Sequence, residues 1–255
     1  MKIATWNVNS LRVRLPQVLQ WLETTQPDVL ALQETKLSDD KFPVEEIAAA
    51  GYNVVFHGQP TYNGVAILSR KPLSEVRHGI PGFDDDQARV LAATVEGVRI
   101  LDLYVPNGQE VGSGKYDYKL RWLDHLAGLV ALELEQNSRL VVLGDFNIAP
   151  ADSDVHDPEE WRGKVLFSEP EKTALQRLLD LGLVDSFRLF DQDENVFSWW
   201  DYRAAGFRRN RGLRIDLVLL SHALSGTCTD ASIDRLPRSW ERPSDHAPAL
   251  ATIKL

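Results

Sequence analysis

The sequence predicts an α/β sandwich, in which β-sheets pack against each other and helices cover their outer faces. Apolar runs of strand length recur along the chain. Several are apolar at successive positions, as in residues 140–143 and 217–220, which is typical of strands covered on both faces. Amphipathic helical segments lie between these runs. Sheets with cover on both faces and interleaved helices give this architecture.

The strand predictions follow from aliphatic and aromatic runs that end at polar or turn-forming residues. The chain contains no linker, no low-complexity tract and no repeat of fixed period, so we expect a single domain over residues 1–255. The predicted strands, in chain order, include residues 2–8, 28–33, 52–57, 64–69, 90–95, 98–105, 140–143, 215–220 and 249–253.

Three helices are predicted between the strands. The first begins at Leu15-Pro16, because proline is preset for the first helical turn. The third covers residues 170–181 and ends before Gly182, a residue typical of helix C-termini. The second spans about residues 116–135 and carries an amphipathic stripe that packs on a sheet. The stripe residues are Leu120, Leu123, Ala127, Val130 and Leu134.

Composition and targeting signals limit the possible classes of protein. Of 255 residues, 44% are hydrophobic, and the formal net charge is −9, which excludes a generally basic nucleic-acid coat. A nucleic-acid substrate stays open, because a local basic face can act within an acidic chain. Cys228 is the only cysteine, which fits a reducing compartment. With no signal peptide and no apolar membrane span, we expect a cytoplasmic monomer with no membrane partner.

Polar residues arrive where several predicted strands end. A chain that brings carboxylates, amides and an imidazole to one edge of a sheet can bind a hard divalent cation and activate water. The residues in question are Asn7, Glu34, Asp145, Asn147, Asp216, Asp245 and His246.

The segment LGDFN suggests a pair that activates water. Asp145 and Asn147 follow a buried strand, and residues two apart point the same way from an extended backbone. The carboxylate would accept a proton while the amide donates a hydrogen bond to a developing oxyanion. The alternative is an ordinary strand-end turn, for which these residue types are common.

Glu34 and Asn7 suggest a metal site. A carboxylate directly after a buried strand is costly unless it is paired or bound to a metal. Mg²⁺ typically uses one or two carboxylates together with waters and substrate phosphate. Either residue alone could instead cap a helix or lie exposed. The repetition of the same arrangement at several strand ends favours the metal site.

The segment Ser244-Asp245-His246 supplies an imidazole that titrates near neutral pH. A catalytic histidine usually has a carboxylate that fixes its tautomer, and Asp216 is a candidate for that role. A lone histidine is more often structural, and Asp216 alone would be a strand-start turn residue. The composition therefore leaves both interpretations open.

An acid-free arginine cluster follows the aromatic segment FSWWDY. Arginines interleaved with aromatic residues fit phosphate contact with stacking on a base or sugar, whereas the alternative is a solvated loop with structural tryptophans. In an acidic chain the local absence of acids favours a functional role. The cluster consists of Arg203, Arg208, Arg209, Arg211 and Arg214, and Arg89 stands alone.

Five segments together resemble the exonuclease III family, the apurinic/apyrimidinic (AP) endonucleases of base-excision repair within the wider endonuclease/exonuclease/phosphatase superfamily. They span essentially the whole chain in order. FSWWDYR and ERPSDHAP favour the DNA-repair branch, and bacterial members especially. The segments are WNVNSLR (6–12), LQETK (32–36), GDFNIAP (144–150), NRGLRIDLVLLS (210–221) and ERPSDHAP (241–248).

The resemblance implies a four-layer α/β/β/α sandwich of two packed mixed sheets with a metal at one edge. It also implies site roles, with Mg²⁺ as the cofactor and Mn²⁺ as an alternative. Asn7 and Glu34 would bind the metal, with Asp245 nearby, and Tyr104 would contact the scissile phosphate. Asp145 and Asn147 would handle the attacking water. His246, oriented by Asp216, would contact the phosphate or its transition state. The resemblance further implies that Trp199, Leu213 and Ile215 line a pocket for a base-less sugar and that Arg89 contacts the DNA backbone. From the arginine cluster we expect Arg203 and Arg209 to contact the DNA backbone as well.

The predicted function is metal-dependent hydrolysis of the phosphodiester 5′ to abasic sites in double-stranded DNA. The alternative is mainly a 3′→5′ exonuclease or 3′-phosphatase acting on damaged 3′ ends, with weak abasic-site cleavage. An inositol-phosphate or sphingolipid phosphodiesterase and a non-catalytic DNA-damage binder are further alternatives. Whether Asp145 or His246 is the general base stays open at this point.

Overall fold

The computed structural model describes residues 1–255, and the β-strands build most of the interior. Fourteen strands are present, and five of them have no counterpart among the strand predictions given above. The strands are β1 Lys2–Asn7, β2 Val29–Gln33, β3 Asn53–His57, β4 Val65–Ser69, β5 Ser74–His78, β6 Val90–Val95, β7 Val98–Tyr104, β8 Leu140–Asp145, β9 Leu183–Asp185, β10 Trp199–Trp200, β11 Gly212–Leu213, β12 Asp216–Ser221, β13 Cys228–Ile233 and β14 Ala249–Ile253.

The strands form two mixed six-stranded sheets and one short ribbon. The first sheet has the order β13-β14-β1-β2-β4-β3, and the second has the order β5-β6-β7-β8-β12-β9. Only β1–β2 and β7–β8 pair in parallel. The ribbon pairs β10 with β11. The predicted sandwich of two packed mixed sheets is therefore confirmed.

Six α-helices complete the outer layers, and three of them match predicted helices. The helices are α1 Leu11–Thr25, α2 Val44–Ala49, α3 Gly114–Gln136, α4 Pro158–Trp161, α5 Glu169–Asp180 and α6 His222–Ser225. Helices α1 and α2 pack on the first sheet through one apolar cluster, and α3 and α5 pack on the second through another. None of the helices is both long and apolar enough to cross a membrane.

The predicted start of the first helix was wrong. Helix α1 begins at Leu11, four residues before Leu15, and Pro16 lies inside it. The backbone N–H groups at the helix start donate to the loop after β2, from Ser10 to the Glu34 carbonyl at 2.7 Å and from Leu11 to the Thr35 carbonyl at 3.0 Å. Tertiary hydrogen bonds thus set the helix start and override the proline signal.

The inner faces of the two sheets share an apolar core that becomes polar toward one edge. Alternate residues of each strand face this space, because side chains along a strand point to opposite faces. The aliphatic part contains residues such as Ile3, Ala31, Ile100 and Leu143. The next inward positions carry fully buried polar side chains, namely Thr5, Gln33 and Asp102. The same edge then leads into the predicted site.

Candidate active site

Strand register brings inward-facing polar side chains to one edge of the paired sheets. Asn7 lies opposite Gln33 at the ends of the parallel strands β1 and β2. Tyr104 lies opposite Asp145 at the ends of the parallel strands β7 and β8. Asp216 begins β12, which runs antiparallel to β8 and places it opposite Asp145. The pairing alone therefore assembles the frame of the site.

Glu34 enters the site through an unusual backbone conformation. Because Gln33 faces inward, an extended Glu34 would point away from the second sheet. Its φ of 52° lies in the left-handed region, which costs about 1–2 kcal/mol for a residue with a Cβ. In this conformation its Oε1 accepts hydrogen bonds from Asn7 at 3.0 Å and Tyr104 at 2.8 Å. The Lys36 ammonium lies 2.8 Å from Oε2.

These partners keep the Glu34 carboxylate ionised. Burial alone would raise its pKa, but the Lys36 charge and the hydrogen bonds from Asn7, Lys36 and Tyr104 outweigh burial and lower the pKa below its ordinary value. The pKa of Tyr104 shifts in the opposite direction. Burial and the charges of Glu34 and Asp145 raise the pKa of its phenol well above 10.0, so it stays a hydrogen-bond donor.

Asp145 and Asn147 meet, but not through an extended backbone. Asn147 has a φ of 49°, in the left-handed region, so the expectation that both side chains extend from one strand was wrong. Its N–H donates to Asp145 Oδ1 at 2.9 Å, and its Nδ2 donates to Asp145 Oδ2 at 3.2 Å and to the Val105 carbonyl at 3.0 Å. Asn7 Nδ2 also donates to Asp145 Oδ2, at 2.8 Å. A turn, rather than a strand, orients the pair.

A buried imidazole lies between two carboxylates. His246 Nδ1 contacts Asp216 Oδ2 at 2.9 Å, and its Nε2 lies 3.8 Å from Asp145 Oδ2. Ser198 Oγ accepts hydrogen bonds from the N–H groups of Ile215 and Asp216, both at 3.0 Å, and so fixes the start of β12. Only one imidazole nitrogen, Nε2, is left for another partner.

The two carboxylates and the imidazole shift one another's charge states. Burial lowers the pKa of His246, but the negative charges of Asp216 and Asp145 outweigh burial and raise it to about 10. Burial raises the pKa of Asp145 to about 7, against the opposing effect of the His246 charge. At neutral pH the imidazole is therefore a cation, and Asp145 is poised to gain or lose a proton.

Asp245 lies beside this group without contacting Glu34. Its Oδ1 accepts from Asn9 Nδ2 at 2.9 Å, and its Oδ2 accepts from Trp199 Nε1 at 3.0 Å. Asn9 Oδ1 in turn accepts from Lys36 Nζ at 2.6 Å. Asp245 thus connects to Glu34 indirectly, through Asn9 and then either Lys36 or Asn7. Its place near a metal stays a prediction.

Arg89 packs on the tyrosine of the site. Its guanidinium carbon lies 4.7 Å above the centre of the Tyr104 ring, and its Nη1 donates to the Tyr104 carbonyl at 3.1 Å. Its Nε donates to Gln87 at 2.9 Å. Arg89 therefore supports Tyr104 directly, and its contact with DNA stays a prediction.

The three predicted sugar-pocket residues lie together but differ in exposure. Trp199 is half-buried, whereas Leu213 and Ile215 are 0% and 1% exposed. Leu213 and Ile215 pack with Leu166 and Phe167 in a small apolar cluster that Trp199 covers. Only Trp199 has free surface in this structure, so the role of the other two as sugar contacts stays a prediction.

The arginine cluster divides into exposed and structural members. Arg203 and Arg209 are exposed, and the Arg203 side chain is 91% exposed. Arg214 is 1% exposed and donates to Asp154 and Asp185, both at 2.7 Å. The sequence interpretation of the whole cluster as functional was therefore wrong for Arg214. Its guanidinium is bound by two aspartates that are close in space but distant in sequence.

Sequence analysis missed a buried ion pair that supports the site. Lys119 Nζ contacts Glu171 Oε1 at 2.5 Å and donates to the backbone carbonyls of Asn147 at 2.7 Å and Asn107 at 3.1 Å. Both side chains of the pair are 0% exposed. The available signal was positional, since Lys119 lies three residues after the buried Tyr116 of α3 and so falls on its apolar face.

The donor set fits a hard divalent cation. The Glu34 carboxylate is ionised, and Asn7 Oδ1 accepts one hydrogen bond, from the Asn9 N–H at 2.9 Å, which leaves a second lone pair. Oxygen ligands of this kind suit Mg²⁺. One ligand atom each of Asp145, Asp216 and His246 also lies within 4.8 Å of the others, but both Asp216 oxygens already contact His246. Glu34 and Asn7 are therefore the better candidates.

Comparison with known proteins identifies the family. A family model described as the endonuclease/exonuclease/phosphatase family matches residues 4–246. The chain belongs to this family. It is 38% identical to exodeoxyribonuclease III of Haemophilus influenzae over 267 residues, which covers both chains completely. This full-length similarity places it in the exonuclease III branch and shows that it is a nuclease.

Solved structures agree with this placement within the endonuclease/exonuclease/phosphatase family. The 3′ phosphatase NExo from Neisseria, bound to a product DNA hairpin, is 48% identical and superimposes with a TM-score of 0.98 over 100% of both chains. An AP endonuclease from Archaeoglobus fulgidus is 38% identical, with a TM-score of 0.96 over 100% of both chains. The exonuclease III branch suggested by the sequence motifs is therefore confirmed.

We predict that Asp216→Asn lowers the pKa of His246, because a negative charge beside the imidazolium is lost. NMR titration of the imidazole measures this shift. A histidine pKa that is raised on folding stabilises the protein fully below the unfolded value of 6.5, and this stabilisation disappears as the pH rises to about 10. The stability difference between parent and variant should therefore shrink across this range, and a constant difference would contradict the assignment.

We predict that Arg214→Met destabilises the chain by about 3–5 kcal/mol, because Asp185 is left buried without its cation. Arg211→Met is the matched control from the same cluster. Arg211 contacts Glu160 at 2.5 Å with both side chains partly exposed, at 43% and 39%, so its loss should cost at most about 1 kcal/mol. Urea unfolding of both variants at neutral pH measures the contrast, and equal losses would count against it.

Proposed function

We propose that this chain hydrolyses phosphate esters in double-stranded DNA as a DNA-repair enzyme. Residues 1–255 would act as one catalytic domain and as a monomer, with Mg²⁺ as the cofactor and Mn²⁺ as an alternative. The observation that supports this most is the convergence of Glu34, Asp145 and His246, which lie far apart in sequence, at one edge of the paired sheets.

The charge states favour Asp145 as the general base. A cationic imidazole has no free lone pair, so His246 cannot accept a proton from water at neutral pH. Its Nε2–H faces the site and would donate to a phosphate oxygen as negative charge develops there. Asp145, with a pKa of about 7, would take the proton of the attacking water. Asp216 would hold the imidazole in orientation through Nδ1.

The remaining residues would position the phosphate and the water. Asn7 and Glu34 would hold the divalent cation, which stabilises negative charge on the phosphate and on the leaving oxygen when bound. The Tyr104 hydroxyl, which donates to Glu34 in this structure, lies at the same edge and would contact the phosphate. Asn147 would align the water beside Asp145, because its amide already contacts that carboxylate.

The exposed arginines would bind the DNA backbone. Arg203 and Arg209 lie in the loop that follows the β10 strand, and both are exposed. Arg203 Nε lies 3.4 Å from Asp201 Oδ1, but its side chain stays 91% exposed. Arginine contacts to phosphates give affinity without base specificity, and this affinity falls as salt concentration rises. The net charge of −9 therefore does not oppose DNA binding, because the local charge of this loop is positive.

We propose damaged 3′ ends as the preferred substrate. Trp199 is the only one of the three predicted pocket residues with free surface, so an extruded sugar could contact neither Leu213 nor Ile215 in this conformation. A terminal 3′-phosphate needs no such pocket. The relative that is 48% identical is a 3′ phosphatase, which supports the same assignment.

Cleavage 5′ to an abasic site is the second candidate. The AP endonuclease from Archaeoglobus fulgidus covers the whole chain at 38% identity and supports it. An abasic nucleotide stacks poorly, so its extrusion from the duplex costs little. This reaction would require Trp199 to move and expose Leu213 and Ile215.

We expect the parent enzyme to remove a 3′-phosphate from a nicked duplex faster than it cleaves an internal abasic site. The assay compares duplexes with a 3′-phosphate, a recessed 3′ end, an abasic site or no damage, each with Mg²⁺ and with chelator. Faster cleavage at the abasic site would reverse the order of the two candidates. Turnover of none of these duplexes would reject the proposed function.

We expect Asp145→Asn to lower the turnover rate on the best of these substrates by about 10²–10⁴-fold, because the proton acceptor is lost. Asp152→Asn is the control, since Asp152 has a side chain 60% exposed and lies on a surface turn. Both variants should keep the parent melting temperature within a few degrees. A fully active Asp145→Asn would contradict the role of Asp145.

A further inference from the structure

Three fully buried polar side chains separate the apolar inter-sheet core from the site. Thr5 lies on β1, Gln33 on β2 and Asp102 on β7, and each is 0% exposed. Gln33 precedes Glu34 in the chain, and Asp102 lies two residues before Tyr104 on the same face of β7. The group therefore joins the two sheets directly beneath the contact between Glu34 and Tyr104.

Hydrogen bonds within this group leave two oxygen atoms without a partner. Gln33 Nε2 donates to Thr5 Oγ1 at 2.8 Å and to Asp102 Oδ1 at 2.6 Å. Gln33 Oε1 and Asp102 Oδ2 are buried and have no hydrogen-bond partner. Both are acceptors when the carboxyl group is ionised, so neither can satisfy the other.

No cation compensates a charge on Asp102. The groups that favour its ionised form are the Gln33 side chain and the nearby backbone N–H groups of Ala66 and Leu103, neither of which forms a hydrogen bond with Oδ2. No charged side chain is among them. Burial outweighs these groups and raises the pKa of the carboxyl well above its ordinary value. An unpaired charge in this position would be strongly destabilising.

We propose that Asp102 is a protonated carboxylic acid that forms a two-bond pair with the Gln33 amide, and that this pair positions the strand end that carries Glu34. The Asp102 Oδ2–H donates to Gln33 Oε1 while Gln33 Nε2 donates to Asp102 Oδ1. One proton thus satisfies both unpartnered oxygens. The opposite orientation of the amide also requires the proton, because two oxygen atoms would then face each other at 2.6 Å.

The pair acts on the site through Gln33. Glu34 keeps a left-handed backbone, and such a conformation persists only where neighbouring contacts hold it. Gln33 is fixed in both directions, by Thr5 within its own sheet and by Asp102 in the opposite sheet. Asp102 is therefore a positioning residue. This part of the inference rests on the proposed function, whereas the proton on Asp102 does not.

Asp102→Asn tests the proton. Asparagine reproduces both bonds of the pair, with Oδ1 as the acceptor and Nδ2 as the donor, so the variant should fold. The infrared difference spectrum between parent and variant, taken above the ordinary carboxyl pKa of 3.8, should contain the carbonyl band of a protonated carboxylic acid. As the pH rises from 3.8 toward the higher pKa of the folded state, the parent should also lose stability relative to the variant, by up to about tenfold in the folding equilibrium constant per pH unit.

The stability of the parent falls with rising pH because its folded state binds one more proton than its unfolded state. The folded parent holds a proton that the unfolded chain releases above its ordinary carboxyl pKa, so rising pH favours the unfolded parent, while the asparagine variant has no such proton. Asp152→Asn, at the exposed turn, is the control variant and is measured over the same pH range. The inference that Asp102 is protonated would be overturned by two results together. These are a missing carbonyl band and a ratio of folding equilibrium constants, parent to Asp102→Asn, that does not change with pH.

Asp102→Leu tests the positioning. Leucine removes both bonds to Gln33 without adding a polar group, so kcat on a 3′-phosphate duplex should fall about tenfold or more, and Asp102→Asn should restore it. Equal kcat values in the parent, the leucine variant and the asparagine variant would overturn the positioning and leave the proton intact. If the parent turns over no DNA, only the proposed function fails, because the spectroscopic and stability results do not depend on activity.

Discussion

The pairing register of the two sheets is the constraint on which the rest of the structure depends. Side chains along each strand alternate between an inner and an outer face, so a register shift of one residue would turn Asn7, Asp145 and Asp216 away from each other. Packing on both faces opposes such a shift, because it would exchange the inner aliphatic side chains with those that pack on the helices. The same strand register is therefore required for the packing of the core and for the geometry of the site.

The balance of charge within the site follows from the same arrangement. His246 lies between Asp216 and Asp145, while Glu34 has Lys36 as a separate cation. Each carboxylate thus has its own positive partner or hydrogen-bond donors, with little help from solvent. The different surroundings move the pKa of Asp145 up and that of Glu34 down, so two chemically similar groups differ in their readiness to hold a proton.

The sequence predicts the layers well, and several of the polar residues it singles out do meet at one sheet edge, because both depend on local patterns. Apolar runs and the polar residues at their ends place the strands, and motif resemblance adds Tyr104 and Trp199. The left-handed backbones of Glu34 and Asn147 were not predicted, because tertiary contacts rather than residue type impose them. The buried ion pairs of Arg214 and Lys119 were not predicted for a related reason, since their acidic partners lie far away in the chain.

The positions of the first and last strands have a consequence for biosynthesis. Strand β1 lies in the middle of its sheet between β2 and β14, and it pairs with β14 from Lys2 opposite Thr252 to Thr5 opposite Ala249. His246 lies three residues before the start of β14. A growing chain on the ribosome cannot pair β1 with β14, or bring the imidazole of His246 to Asp145, until β14 and the residues before it have been synthesised. Strand β1 therefore lacks its neighbour on one side while residues 8–248 are made.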